Sequence, residues 1–176
     1  DQPRSRGLGD VYKRQVSMIG IYGNKQTMPE SQKKELFSAG ITYMVSGEYA
    51  FAFSCFTQAG KSDLPTLYNK ALCCYYLSLY NDCRSLLLEA ERLLPPLTER
   101  LPENLPEAVL RWEYEKSPAG CPMPEDAPDN LAAVQLLRLK AKVSARLHLH
   151  TEVRTIHARL GNKYQHIEEL IKNIQP

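Results

Sequence analysis

The chain has 176 residues and a mass of 20.0 kDa, enough for one domain with a sizeable core. Hydrophobic residues make up 43% and charged residues 24%, a globular and not a disordered balance. A formal net charge of +2 is too small to imply a nucleic-acid partner, and with no run of ~18 apolar residues no membrane span is expected. The five cysteines, Cys55, Cys73, Cys74, Cys83 and Cys121, are odd in number, and four sit in helical patterns. Reduced thiols in a cytoplasmic protein are expected, not a disulfide framework.

Residues 1–15, DQPRSRGLGDVYKRQ, lack periodicity and resemble the read-through of a sequencing adapter. Residues 1–17 are therefore read as a non-native leader, with Met18 or Met28 as the native start. The leader carries Arg4, Arg6, Lys13 and Arg14 against Asp1 and Asp10, so it accounts for the whole net charge and residues 18–176 balance to zero. Gly20, Gly23 and Pro29 break any element over 18–29, which is expected to be disordered or weakly ordered.

From residue 30 the chain repeats itself with a shift of 31. Leu36 falls on Leu67, Gly40 on Ala71, Tyr43 on Cys74, Tyr49 on Tyr80, Ala52 on Cys83, Phe56 on Leu87 and Ala59 on Ala90. Each unit reads as two helices. Leu36, Gly40 and Tyr43 line one face of the first, and Gly47 ends it. The second carries Tyr49, Ala52, Phe56 and Ala59, and Gly60 and Pro65 close it. In the next unit Leu67, Ala71 and Cys74 precede Tyr80, Cys83, Leu87 and Ala90, and Pro95-Pro96 stops the pattern. The small residues let paired helices approach closely.

Between Pro95 and Pro128 lie eight of the 12 prolines. The segment 98–128 is a proline-rich insert with one short helix over 106–116, opened by Asn104, Pro106 and Glu107. Trp112, the only tryptophan, is expected to pin the insert to the core. Helical pattern resumes at Asp129 or Asn130, either a possible cap. Leu136, Leu139, Val143 and Leu147 form one stripe, and Leu149, Val153, Ile156 and Leu160 another. The phase slip predicts a turn near 148–151, with one continuous helix over 129–160 as the alternative. Gly161-Asn162 precedes a final amphipathic helix with Tyr164, Ile167, Leu170, Ile171 and Ile174 on one side. Residues 129–176 thus read as a third helical pair plus a capping helix.

The pattern Leu36-x-x-Ala39-Gly40-x-x-Tyr43, Gly47-x-Tyr49, Ala52-x-x-x-Phe56-x-x-Ala59, with Asn69-x-Ala71, Tyr80, Ala90 and Pro95 in the second copy, resembles the tetratricopeptide repeat family. The period is three residues shorter than the family's 34, and Lys70 and Cys74 depart from its pattern. The resemblance covers 30–97. It implies an all-α fold of stacked helical hairpins, a short α-solenoid, of bacterial type. It also implies a concave groove lined by the first helix of each unit. The groove residues would be Phe37, Ile41, Met44 and Val45, then Tyr68, Asn69, Leu72, Tyr75 and Tyr76. This lining is apolar and aromatic and suits an apolar or proline-containing segment of another protein, or of the chain's own insert. Family members that clamp an acidic chaperone terminus use Lys, Arg and Asn there. Phe37 and Ile41 depart from that set, so the partner class is not expected.

Motifs for catalysis are absent from the sequence: no GxGxxG, P-loop, HExxH or GxSxG is present. No catalytic residue, cofactor or metal site is expected. His148, His150, His157 and His166 lack the carboxylates or thiols that would complete a metal site. Arg138, Lys140, Lys142, Arg146 and Arg154 read as a solvated face spread around a helix. The expected function is a non-enzymatic protein–protein interaction module, an adaptor or scaffold. The alternative is a small tetratricopeptide chaperone for a secreted or assembled client; an open groove would favour the chaperone, and one filled by the insert the scaffold.

Overall fold

The computed structural model describes residues 28–96, Asn104, Glu107, 120–162 and 164–174. Residues 1–17, expected to be a leader, residues 18–27, and the helix expected over 106–116 with Trp112 lie outside the described residues, apart from Glu107. The described residues are all-helical. They form α1 (Glu30–Val45), α2 (Tyr49–Ala59), α3 (Leu64–Tyr76), α4 (Tyr80–Glu91), α5 (Asp129–Arg146), α6 (His150–Arg159) and α7 (Gln165–Lys172). None of these helices is long and apolar enough to cross a membrane.

Three hairpins, α1–α2, α3–α4 and α5–α6, turn in the same way. Gly47, Ser78 and His148 each take a left-handed φ, +80°, +61° and +59°. The next residue then donates its N–H back across the turn: Glu48 to Tyr43, Leu79 to Cys74 and Leu149 to Ser144, each at 2.8 Å. Those bonds satisfy carbonyls at the helix end that have no intrahelical partner. Glycine takes the conformation without cost only in the first hairpin, whereas Ser78 and His148 accept a penalty of about 1 kcal/mol. The shared turn therefore follows from packing of the helix pairs more than from turn residues. The phase slip in 129–160 corresponds to the break between α5 and α6, at 147–149.

Two local readings are corrected. Pro65 does not close α2; Gly60, at φ +64°, follows its last residue. Pro65 instead sits in the first turn of α3, behind Asp63, whose carboxylate accepts from the Thr66 N–H at 3.0 Å. A proline there lacks only an N–H that would have no helical acceptor. At α5 the N-cap is Pro128, with no side-chain cap from Asp129 or Asn130.

The rotation of α1 also differs from the expected face. Phe37, Gly40 and Met44 are buried, while Tyr43 is 40% exposed and rests on Phe51 at 5.7 Å. The cause is Phe56 of α2. Its ring lies against Gly40, where an added Cβ would come within 2.7 Å, and Phe37 meets it edge-on at 5.3 Å. A ring seated on glycine fixes which side of α1 faces α2, and Tyr43 is turned outward.

The hairpins stack in chain order. α2 packs on α3, α4 and α3 pack on α5, and α7 covers both α5 and α6. α3 is consequently buried on nearly every side, from Thr66 to Tyr75 except Lys70. Ile167 of α7 is buried, with Leu170, Ile171 and Ile174 packed on the core.

An ionic cluster ties the second hairpin to the third. Lys140 Nζ lies 2.7 Å from Glu91 and 3.4 Å from Glu152. Arg84 donates to both Glu152 oxygens at 3.0 and 3.2 Å, and Ser144 Oγ donates to one at 2.7 Å. Arg159 reaches Glu91 at 2.5 Å. Lys140, expected on a solvated face, is buried instead, with both carboxylates around it. Burial by itself would raise the pKa of Glu91 and Glu152. The hydrogen bonds from Lys140 and Arg159, and from Arg84 and Ser144, outweigh it and hold both below the ordinary glutamate value.

Gly40→Ala is expected to cost about 1–3 kcal/mol through overpacking on Phe56, read as a lower denaturation midpoint and recovered in part by Phe56→Leu. The ionic cluster sets a pH dependence as well. A carboxylate with a depressed folded pKa stabilises above its unfolded pKa, and that stability is lost as pH falls through the folded value. Melting temperature is expected to drop on acidification below the ordinary glutamate range, and a Glu91→Gln, Glu152→Gln double variant to flatten that drop.

Candidate peptide-binding groove

The predicted groove residues do not form one open surface. Phe37 and Met44 are buried within the α1–α2 hairpin, Ile41 is half-buried, and Val45 is 77% exposed. Tyr68, Asn69 and Leu72 are fully buried and Tyr75 nearly so, while Tyr76 is 39% exposed. The structure brings Tyr68, Asn69, Leu72 and Tyr75 together along α3. They are covered by α5 and by the chain's own residues 120–128.

Asn69 makes the contact that closes this region. Its Nδ2 donates to the Met123 carbonyl at 2.9 Å, and the Met123 N–H donates to its Oδ1 at 2.7 Å. One amide side chain thus meets both backbone groups of Met123, as a neighbouring strand would, and Met123 itself is fully buried. Three residues earlier, Gly120 takes φ +89° beside the Tyr68 hydroxyl and the Gln135 amide. A Cβ there would collide with that hydroxyl, so only glycine lets the backbone pass. Lys61 pairs with Glu125 and anchors the far end of the segment. Burial pushes the Tyr68 phenol well above its ordinary pKa, which keeps it a neutral hydroxyl at all ordinary pH.

An aromatic row lies at the turn end of the hairpins, with Tyr76 exposed, Tyr49 and Tyr80 half-buried and Tyr75 buried. Tyr49 stacks on Tyr76 at 4.4 Å and 12°, Tyr76 meets Tyr75 edge-on at 5.9 Å, and Tyr75 lies 5.7 Å from Tyr80. Cations from α5 border the row. Lys142 lies over the Tyr75 ring at 5.5 Å, Arg146 over Tyr80 at 6.0 Å, and Arg138 over Tyr164 at 5.3 Å. These contacts have the geometry of cation–π pairs. The expected scatter of basic residues around α5 is corrected here: Arg138, Lys142 and Arg146 recur every four residues and share one side. Between α5 and α7 a cavity of about 230 Å³ is lined by Arg138, Lys142, His166, Glu169 and Asn173.

Sequence reasoning placed Tyr49 and Tyr80 in the hairpin packing and missed their part in this row. Their equivalence at a shift of 31 was the available signal. The four-residue spacing of the α5 cations was the other. Nothing local in the sequence marked Met123 or Gly120, since their partners lie 54 or so residues away along the chain. Burial raises the Cys74 thiol to about 12, and Cys73 and Cys83 higher still, so all three stay protonated and unreactive. No group of three His, Cys, Asp or Glu that would hold a metal occurs among the described residues. Comparison with protein-family models, with curated proteins and with solved structures returns no match.

Asn69→Ala is expected to cost roughly 3 kcal/mol, because it leaves the buried Met123 N–H and carbonyl unpaired. Hydrogen exchange should show the change first at the Met123 amide, before the α1–α2 hairpin is affected.

Proposed function

We propose that this chain is a tetratricopeptide-type adaptor, a non-enzymatic module that docks a segment of another protein. The observation that carries the reading is the row Tyr49–Tyr76–Tyr75–Tyr80 beside a groove whose inner part is already filled. Stacked tyrosines present a large, rigid and amphipathic surface at little entropic cost. The three identically turned hairpins agree with a repeat architecture, and their stacking places the row across two of them. Occupation of the inner groove by residues 120–128 favours an adaptor over a client chaperone, which would hold that groove open. In this reading the protein works in the cytoplasm with reduced thiols.

The test separates folding from docking. In Tyr76→Ala, loss of the stack on Tyr49 is expected to cost only about 1 kcal/mol, so the variant stays folded by thermal melting. A photo-crosslinking residue at position 76 should capture one specific partner from the native host, and Tyr76→Ala should lose that partner on affinity recovery. Unchanged recovery by the folded variant would remove the adaptor reading.

A further inference from the structure

Two of the cations beside the tyrosine row, Lys142 and Arg146, have no carboxylate partner among the described residues. Lys140, two residues before Lys142, is by contrast paired with both Glu91 and Glu152. Lys142 is half-buried and Arg146 exposed. Lys142 faces Tyr75, and the guanidinium groups of Arg146 and Arg138 act on it with like sign. Burial first, and those two guanidinium groups second, lower its pKa. A lysine held partly out of water beside Arg146 is a cost that an anion would relieve. Elsewhere in the same stack the chain pairs its cations closely: Lys140, Arg84 and Arg159 surround Glu91 and Glu152.

We infer that the side of α5 bearing Lys142 and Arg146, together with Tyr75, Tyr76 and Tyr80, docks an acidic peptide segment of a partner protein. The inference rests on the adaptor reading and specifies the chemistry of its partner. Residues one helical turn apart are about 5–6 Å apart, so Lys142 and Arg146 can each accept one carboxylate from neighbouring acidic side chains. Lys142 Nζ and the Arg146 guanidinium donate, and the carboxylate oxygens accept. Apolar or aromatic residues between the acids would lie on the exposed faces of Tyr76 and Tyr49. Glu169 lines the same cavity as Lys142 and accepts from Gln165 at 3.2 Å, so an acidic ligand would approach Lys142 from the side of Arg146. A nucleic acid fits less well, because residues 18–176 carry no net positive charge and phosphate-backbone binding draws on a broad basic surface.

The experiment uses the full chain and fluorescein-labelled peptides of alternating Glu and Tyr, with Gln/Tyr and Lys/Tyr counterparts, followed by anisotropy at low and high salt. The Glu peptide is expected to bind more tightly than the Gln peptide, to weaken with salt, and to lose about tenfold or more in affinity on Lys142→Glu with Arg146→Glu. Arg146 is exposed and Lys142 half-buried, and Lys142→Gln with Arg146→Gln supplies a second variant of neutral charge, expected to fall between. Equal binding of the Glu and Gln peptides would overturn the inference while leaving the adaptor reading standing. So would tighter binding of a single-stranded oligonucleotide, or a dimer that the charge reversal dissolves. A photo-crosslinked partner whose contacting segment is not acidic would do the same. Absence of any peptide binding, together with no partner crosslinked at position 76, would remove both.

Discussion

The bidentate contact between Asn69 and Met123 is the constraint on which the arrangement of this molecule turns. A peptide backbone brought into an apolar groove must have its N–H and carbonyl satisfied, or the burial is lost to desolvation. Asn69 satisfies both with one side chain, and so permits residues 120–128 to lie over α3 where a continuing array would otherwise show an open face. Gly120 makes the approach sterically possible, and Met123 fills the space below. Part of the buried face of α3 is thus covered by the chain itself, and the exposed tyrosine Tyr76 lies at the turn end of its hairpin.

The ionic cluster around Lys140 plays a complementary part. The junction between α4 and the α5–α6 hairpin joins helices separated by a long proline-rich stretch of sequence. Arg84, Glu91, Ser144, Glu152 and Arg159 close that junction with several mutually oriented hydrogen bonds. Partly buried clusters of this kind add specificity of register, since a slip of one turn would strand a charge. The apolar contacts of Leu87, Leu136, Val153 and Ile156 supply the burial, and the polar cluster fixes their alignment.

Helix positions were legible in the sequence to within a few residues, because breakers and apolar periodicity agree along most of the chain. Faces were less legible. Leu36, Gly40 and Tyr43 fit a helical stripe as well as Phe37, Gly40 and Met44 do, and only the ring of Phe56 on Gly40 decides between them. The candidate site was legible in part. Tyr76 stays exposed and Tyr75 lies beside it as a buried member of the same row, whereas Tyr68, Asn69 and Leu72 are consumed by internal packing. Asn69 was singled out as a polar residue in a groove, and its partner turned out to be the chain's own backbone.

By itself, then, the amino-acid order determined an all-helical chain with a period of 31 in its first half, a charge balance of zero beyond residue 17, and a tyrosine-rich second unit. These are local properties: periodicity, breakers and composition act over one or two helical turns. Tertiary structure alone decided which tyrosines are covered, which lysine of α5 is paired and which is left facing an aromatic ring. Such choices depend on contacts between residues 50 to 70 positions apart, and no local pattern encodes the distance across a groove.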